Sequence, residues 1–347
     1  MNDLSEKERL SRAFDGKPVD RKPVICPGGM MNAAIVDVMT ETGHVLPDAH
    51  SDDLLMSLLA EDIRRLTGFE NLGVPFCMTI EPGALGSEVD LGSLSCEPKI
   101  RAEAFGSVRE VEYRDIPAAL RGGRVETLWN AAARLSGKDG DVPVIGSISG
   151  PVSTAASIVD PMVFLKELRK DGANAHRVMS YVTDFLIEYA KGLLESGVYA
   201  VSIADPTATG EILGPRLFDE YAVHYINRVV DAIHDAGGRA IVHICGNMGS
   251  VWRLIPSFRA DAISADAMVS LKKLKADFPQ IVTMGNLSTY TLEFASPSAV
   301  AEKAAGIAGG SIDIAAPACG LSTSSSIENL RAFTGTVKDA GPFGAAG

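Results

Sequence analysis

Two short stretches of the chain carry residue types that bind transition metals. His243 and Cys245 lie two residues apart in RAIVHICGNMG (Arg239–Gly249), and Cys319 lies in AAPACGLS (Ala315–Ser322). Side chains two apart on a strand point to the same face, so this imidazole and the first thiol are expected together. One imidazole and two thiolates form a zinc ligand set that leaves the fourth tetrahedral position open. We therefore predict His243, Cys245 and Cys319 as the metal ligands of a catalytic centre.

The charges of these ligands favour thiol chemistry over hydrolysis. Zn²⁺ with two thiolates and a neutral imidazole carries no net charge, which makes it a weak Lewis acid for water and suits it to a soft thiol. A free thiol is mostly protonated near pH 7, whereas a metal-bound thiol is present as the nucleophilic thiolate. The alternative is that His243 and Cys245 only fill a core strand, because free cysteine is commonly buried.

Four further polar residues lie at or just after the ends of predicted strands and are candidates for binding substrate: Glu81, Asp205, Asp266 and Asn286. Glu81 is either a transient fourth ligand, a proton acceptor or hydrogen-bond partner, or a solvated loop carboxylate. Asp205 has an N-cap or Asx turn as its alternative, because a proline follows it. Asp266 and Asn286 either orient the metal-binding histidine or cap the next helix.

Eight short β-rich runs must position these residues, and helical segments separate them. Several runs are almost wholly apolar, which is typical of strands buried on both faces of a parallel sheet. We therefore predict an α/β fold, a single (β/α)8 TIM barrel over residues 1–347 whose carboxyl-end rim carries the site. The predicted strands are Lys22–Cys26, Leu72–Cys77, Val142–Ser149, Tyr199–Asp205, Ala240–Cys245, Ala262–Asp266, Ile281–Asn286 and Ile312–Ala316.

Apolar spacing and capping residues predict helices at His176–Ser196, Pro215–Ala236, Ser296–Ala305 and Ser326–Lys338. Alternating stretches and several glycines predict an inserted hairpin region after the second strand, from Gly83 to Arg114. An open doubly wound sheet is the rival fold. It would require a dinucleotide-type glycine loop after the first strand, and PGGMMN has the wrong glycine spacing.

The composition excludes several classes of protein. The 347 residues are 46% hydrophobic and 22% charged, which is the mix of a packed core and not of a disordered chain. Acidic side chains outnumber basic ones by 44 to 32, which argues against nucleic acid as a partner. The longest uncharged run, Val142–Val159, is too short to cross a bilayer, and the start lacks a signal peptide. A cytoplasmic location is expected, with the cysteines as thiols or metal ligands.

The chain also resembles a known family. HICGN, the distal APACG, GNLS at Gly285–Ser288 and GVPFCMTIEPGALG at Gly73–Gly86 are similar to cobamide-dependent methyltransferases. These are the methylcobalamin:coenzyme M methyltransferases and the chloromethane methyltransferase domain, within the uroporphyrinogen decarboxylase superfamily. The resemblance extends over nearly the whole chain, and the H-x-C…C set is specific to the methyltransferase side.

The resemblance implies a (β/α)8 barrel, zinc on His243, Cys245 and Cys319, and methyl transfer between a corrinoid protein and a thiol such as coenzyme M. The zinc-bound thiolate would attack the methyl carbon on cobalt, and cobalt(I) would leave. The chain lacks the D-x-H-x-x-G pattern of a cobalamin-binding domain, so a separate corrinoid protein should deliver the cobamide transiently. The sulfonate of coenzyme M would need a cation or backbone amides, for which Arg21, Arg216 and Arg253 are unassigned candidates.

Three alternatives to this function stay open. Some relatives move a methyl group from a halide, ether or amine onto cobalt instead. A porphyrinogen decarboxylase would use an arginine-rich loop after the first strand and an aspartate after the second. CPGGMMNA at Cys26–Ala33 and FCMTIEPG at Phe76–Gly83 contain neither, which argues against that activity. The third alternative is a binding module whose zinc is structural.

Overall fold

The computed structural model describes residues 3–341, and its centre is a sheet of seven parallel strands in a TIM-like α/β arrangement. The sheet has the order β1-β4-β5-β6-β7-β8-β9, and a separate antiparallel pair, β2-β3, lies between β1 and β4 in the sequence. The strands are β1 Leu72–Val74, β2 Glu88–Asp90, β3 Lys99–Ala102, β4 Val144–Ser149, β5 Ala200–Ala204, β6 Arg239–Ile244, β7 Ala262–Ala265, β8 Thr283–Leu287 and β9 Ile314–Pro317.

Fifteen α-helices are present among the described residues, and several of them pack against the sheet. They are α1 Glu6–Phe14, α2 Val36–Thr42, α3 Asp53–Thr67, α4 Ile80–Ala84, α5 Ile116–Ala119, α6 Gly123–Ser136, α7 Pro151–Ile158, α8 Pro161–Lys170, α9 Gly172–Glu195, α10 Gly210–Leu217, α11 His224–Asp235, α12 Leu271–Asp277, α13 Thr289–Phe294, α14 Pro297–Ala308 and α15 Ile327–Asp339. Short 3₁₀ segments occur at Asp48–His50 and Gly249–Ser257, and a π-helical turn at Phe218–Val223. Within the described chain, no helix is both long and apolar enough to span a membrane.

Seven of the eight predicted strands are confirmed, with differences at their ends. β4 and β5 are buried at every position, as expected for a parallel sheet covered on both faces. β1 ends at Val74 and not at Cys77, because Pro75 has no amide hydrogen to continue the ladder.

The predicted first strand, Lys22–Cys26, is wrong as a regular strand. It forms one isolated parallel bridge, from Val24 to Ala315 of β9. On its other side, one backbone bond and two side chains stand in for a strand ladder. The Glu70 amide donates to the Val24 carbonyl at 2.9 Å, the Val24 amide donates to Glu70 Oε2 at 3.0 Å, and the Cys26 amide donates to Asn71 Oδ1 at 2.8 Å. The segment therefore joins the last strand of the sheet to the start of β1 through one bridge on one side and a backbone bond with two side chains on the other.

Glu70 is the buried anchor of this connection. It is 1% exposed, and its carboxylate accepts hydrogen bonds from the guanidinium groups of Arg9 at 3.0 Å and Arg21 at 2.5 Å as well as from the Val24 amide. Arg21 is thereby committed to the amino end of the sheet. Glu70 precedes β1 and so lies at the amino end of the sheet, whereas the predicted metal ligands lie at the carboxyl ends of their strands. The prediction that Arg21 could bind a sulfonate near the metal is therefore wrong.

The four helix predictions are confirmed, with differences at their ends. α14 and α15 begin one residue after their predicted caps, Ser296 and Ser326, and both serines accept a hydrogen bond in the first turn. α9 begins four residues before the predicted start. The predicted helix Pro215–Ala236 is confirmed, because Gly214, with φ 68°, breaks α10 directly before Pro215 and the chain then stays helical to Asp235. A π-helical turn, Phe218–Val223, lies inside this helix and leads into α11.

The first helix closes the amino end of the sheet. Leu10 and Phe14 of α1 form a buried cluster with inward residues of the strands, among them Ile145, Ile241 and Ile314. The Lys7 amide also donates to the carbonyl of Asp141, which precedes β4. Because α1 occupies this end, the strands are open for chemistry at their carboxyl ends.

We expect Glu70→Gln to destabilise the fold strongly, because it leaves two guanidinium groups and a backbone amide competing for one neutral acceptor. Breaking a buried charged network by removing one partner costs about 3 kcal/mol or more. Denaturant unfolding measures this change. Glu188→Gln, in an exposed pair with Lys191, is the matched control and should cost less than about 1 kcal/mol. Equal losses in the two variants would contradict the anchoring role.

Candidate functional site

The structure brings the three predicted metal-binding residues together. The ligand atoms of His243, Cys245 and Cys319 all lie within 4.8 Å of one another. His243 Nε2 is 3.2 Å from Cys245 Sγ, and Cys245 Sγ is 3.4 Å from Cys319 Sγ. His243 is on β6, Cys245 follows the end of β6, and Cys319 lies two residues after β9. The cluster therefore sits at the carboxyl ends of the strands, opposite α1.

The register of two strands fixes the orientation of the imidazole. His243 pairs with Ser264 of β7, and Ser264 Oγ lies 2.8 Å from His243 Nδ1. Both residues are fully buried, so this hydrogen bond holds the ring with Nε2 towards the sulfurs. Sequence reasoning missed Ser264; the signal for it is that AISAD occupies the strand next to HIC.

The two thiols differ electrostatically although they touch. The hydrogen bond from Cys245, assisted by one from His243, lowers the pKa of Cys319. The same contact and then burial raise the pKa of Cys245. Met30 Sδ lies 3.9 Å from Cys245 Sγ, so a thioether covers one side of the pair. The sulfurs of Cys245, Cys319 and Met30 thus lie together, and all three are soft donors.

This donor set fits a tetrahedral metal. Two sulfurs and one nitrogen bonded to zinc at ordinary lengths lie roughly 3.5–3.8 Å apart. The observed separations of 3.2 Å and 3.4 Å need only a small outward movement to match. Three protein ligands leave one position open, which is the arrangement of catalytic and not of structural zinc sites.

Glu81 lies in α4 on the same rim and is 1% exposed. Its Oε1 accepts a hydrogen bond from the Ser149 amide at 2.6 Å, while Oε2 has no hydrogen-bond partner among residues 3–341. Burial raises the pKa of Glu81 to about 7. The structure thus excludes the solvated-loop alternative and leaves a carboxyl group able to exchange a proton near neutral pH.

Asp205 follows β5 and is fully buried, with both oxygens engaged. Oδ2 accepts from the Val152 amide at 3.0 Å, and Oδ1 accepts from the amide and hydroxyl of Ser153 at 2.8 Å and 2.6 Å. Burial raises the pKa of Asp205 to about 6 in spite of these bonds. The contacts match the capping alternative, but for the first turn of α7 and not for the helix that follows Asp205.

Asp266 and Asn286 connect rim loops to each other. Asn286 Nδ2 donates to the carbonyls of Asp266 and Val269 at 2.9 Å and 2.8 Å, and Asp266 Oδ1 accepts from the Met268 amide at 3.0 Å. The proposed orientation of His243 by either residue is wrong, because Ser264 occupies that position at Nδ1.

A second group of polar residues lies on the rim near Glu81 and was not expected from the sequence. Arg124, at the start of α6, donates to Cys77 Sγ at 2.8 Å and to Thr79 Oγ1 at 3.0 Å. It also donates to the carbonyl of His50 at 3.3 Å. His50 is fully buried, and burial followed by the nearby Arg124 charge lowers its pKa to about 3. The imidazole is therefore neutral and is part of the packed interior of the rim.

The pair β2-β3 reaches the loop that follows β9. In the turn between these strands, the Ser95 carbonyl accepts a hydrogen bond from Thr323 Oγ1 at 3.0 Å. This contact attaches the turn to the loop that follows β9, which also contains Cys319.

The chain is similar to known proteins over nearly its whole length. The family model described as uroporphyrinogen decarboxylase (URO-D) matches residues 5–340. A methylcobamide:CoM methyltransferase MtbA of Methanosarcina acetivorans is 30% identical over 98% of this chain and 99% of its own length. MtaA of Methanosarcina barkeri, another methylcobamide:CoM methyltransferase, is 27% identical over 96% and 97%. A solved structure, a methyltransferase from Methanosarcina mazei, superposes with a TM-score of 0.88 at 26% identity, covering 97% of this chain and 99% of that one.

We expect Asp205→Ala to lower the unfolding free energy by about 2 kcal/mol, because two buried amides and one hydroxyl lose their acceptor. Thermal or denaturant unfolding measures the loss. Asp115→Ala removes the cap of an exposed four-residue helix and is the matched control, for which a smaller change is expected. A wild-type stability in Asp205→Ala would show that the capping bonds do not hold the rim.

Proposed function

The chain belongs to the uroporphyrinogen decarboxylase (URO-D) family, and we propose that within this family it is a zinc-dependent methyltransferase linked to a corrinoid protein. It would move a methyl group between the corrinoid and a thiol such as coenzyme M. The observation that carries the proposal is the set of His243, Cys245 and Cys319 ligand atoms within 4.8 Å at the strand ends. The full-length similarity to methylcobamide:CoM methyltransferases supports the same reaction.

His243, Cys245 and Cys319 would hold the metal, with Ser264 fixing the imidazole. Zinc bound there would lower the pKa of a substrate thiol and keep it as a thiolate. Glu81 is the proposed acceptor of the thiol proton, because its pKa lies near neutrality and one oxygen is unpartnered among the described residues. Asp205, Asp266 and Asn286 would contribute to substrate binding indirectly, because their hydrogen bonds hold the rim loops that surround the substrate.

The transfer itself breaks one bond and forms one. The sulfur of the acceptor would form a bond to the methyl carbon of the corrinoid substrate, and the cobalt–carbon bond would break with its electron pair left on cobalt. The chain's contribution is to align the sulfur with that carbon. The corrinoid protein would dock transiently at the carboxyl-end rim. The names of the relatives favour this reaction over methyl transfer from an O-, N- or halo-methyl donor onto cobalt.

We further propose that the architecture is one domain, a single (β/α)8 barrel with β2-β3 as an inserted hairpin. The segment at residues 22–26 would take the place of the eighth strand of the barrel. Its bridge to β9 and its contacts with Glu70 and Asn71 support this closure. A cytoplasmic location is proposed with it, since corrinoid and thiol partners are expected there.

One zinc per chain is expected after metal-replete purification, together with demethylation of methylcobalamin by 2-mercaptoethanesulfonate. Cys319→Ala should lose zinc and reduce the methyl-transfer rate by at least about 100-fold, because the acceptor thiol is no longer activated. Metal analysis and the visible spectrum of the corrinoid measure the two effects. Cys96→Ala, at an exposed thiol, is the control and should behave as wild type.

Zinc-free protein, or unchanged transfer in Cys319→Ala, would contradict the proposal. Decarboxylation of uroporphyrinogen by the chelator-treated chain would establish the decarboxylase instead. Unfolding on metal removal without any methyl transfer by the loaded protein would establish a structural metal.

The pH profile tests the role of Glu81. The proposed acceptor must be deprotonated, so the wild-type rate should rise as pH increases through about 7. Glu81→Gln should lower the rate at least about tenfold and remove this limb of the profile. Glu88→Gln, on exposed β2, should retain the limb. An unchanged limb in Glu81→Gln would exclude the carboxyl as the titrating acceptor.

A further inference from the structure

A cavity of about 560 Å³ lies beside the candidate metal centre's rim, between β2, α4 and the start of α6. Three arginines line it: Arg114, Arg121 and Arg124. The rest of its lining combines small and apolar residues and contains no carboxylate: Thr79, Ile80, Gly83, Ala84, Ser87, Val89, Leu91, Ala118, Ala119, Gly122, Gly123 and Val125. The cavity thus has positive charge on one part of its wall and apolar surface on another.

The charges of these arginines are not compensated within the cavity. Among residues 3–341, none of the three forms a salt bridge with a carboxylate. Arg124 instead donates to the neutral partners Thr79 and Cys77 and to backbone carbonyls. The whole chain has twelve more acidic than basic side chains, so three unpaired arginines around one cavity go against its composition. Guanidinium groups placed in this way attract and orient an oxyanion.

The backbone contributes to the same potential and to the shape of the cavity. α6 has fourteen residues, and its N-cap is Gly122, which offers no side-chain acceptor to the first amides. Gly122 and Gly123 both line the cavity, so the amino end of the helix dipole adds to the arginine charges. At Gly86 the backbone has φ +113°, which favours glycine, and the guanidinium of Arg114 lies close to this residue, with Nη2 2.7 Å from the position of an added Cβ atom.

We propose that this cavity binds a small-molecule oxyanion, a sulfonate, phosphate or carboxylate carried on a short apolar body. The guanidinium groups of Arg114 and Arg121 would bind the acid, while Arg124, whose nitrogens already donate to protein groups, would add its charge. The side chains of Ile80, Val89 and Leu91 would cover the body. Arg216, a sequence-based candidate for such a cation, is exposed and bound to Glu220, so it is already paired.

The same acid can come from two sources. If the proposed function holds, it is the acid end of the acceptor thiol, since Thr79 and Ile80 of the cavity directly precede Glu81. Otherwise it is a free anion that does not depend on methyl transfer. Both ligands would present an oxyanion to the arginines, and the methyl-transfer measurements below distinguish one from the other.

Binding is measured first, on the purified full chain with and without a chelator. Ethanesulfonate and inorganic phosphate are titrated calorimetrically into wild type, Arg114→Gln, Arg121→Gln and the control Arg169→Gln. Arg169 is exposed on α8 and is also without a carboxylate partner among the described residues. We expect saturable binding that survives the chelator and weakens at least about tenfold in Arg114→Gln and Arg121→Gln, but not in the control. The thermal transition of each variant establishes that it is folded. Because Arg121 is exposed, Arg121→Gln should remain folded and tests the proposal even if Arg114→Gln does not fold.

Absence of saturable binding, or equal binding in the cavity variants and the control, overturns the proposal. Binding that disappears with the chelator and ignores the arginines assigns the anion to the metal and overturns it as well. This arm needs no methyl transfer, so it is decided even if the proposed function fails.

Methyl transfer then separates the two sources. The ratio of KM for 2-mercaptoethanol to KM for 2-mercaptoethanesulfonate should fall at least about tenfold in Arg114→Gln and stay at the wild-type value in Arg169→Gln. That result identifies the acid end of the acceptor as the ligand. Anion binding that depends on the arginines, with an unchanged KM ratio, identifies a free anion as the ligand of the same cavity.

Discussion

Curvature of the parallel sheet is the constraint on which the candidate centre depends. β6 and β9 are separated by two strands, and in a flat sheet they would lie roughly 14 Å apart. Yet the sulfurs that follow them, of Cys245 and Cys319, are 3.4 Å apart. The strand ends must therefore face one another across a closing sheet. Glu70 maintains that closure at the opposite end, because it fastens the segment beside β9 to the start of β1.

Two buried carboxyl groups on the rim differ in their hydrogen bonds, and this difference gives one a structural role and leaves the other free for chemistry. Burial raises the pKa of both Glu81 and Asp205. Asp205 accepts three hydrogen bonds from one helix start, so its oxygens are committed and a change of protonation would disturb α7. Glu81 accepts through Oε1 and has Oε2 unpartnered in the described chain, so a proton can be gained or lost there without breaking a structural bond. The pKa shift alone does not distinguish the two; the hydrogen bonds do.

The sequence predicted what depends on local pattern and failed where the chain makes long-range polar contacts. Strand spacing and the H-x-C interval indicated that His243, Cys245 and Cys319 would meet, because period-two alternation and strand order largely determine where strand ends lie. Neither pattern shows that Ser264 reaches His243, since this depends on the register of β6 against β7. The segment at residues 22–26 has strand-like residues, but side chains about 45 positions away complete its hydrogen bonding. Arg124 was missed for the same reason, because its partners lie far from it in the sequence.

The charge of the rim follows from the charge of the ligands. Two thiolates and a neutral imidazole would cancel the charge of a zinc ion, so a bound substrate thiolate would leave an uncompensated negative charge in a chain that is already acidic. A centre of this kind benefits from cations at a distance, which raise affinity without reducing the electron density on sulfur. The unpaired arginines beside α4 provide such cations, and they do so through a cavity with its own apolar wall. Soft donors at one place and guanidinium groups at another would thus allow a molecule with a thiol and an acid to be recognised at both ends, while its sulfur stays nucleophilic.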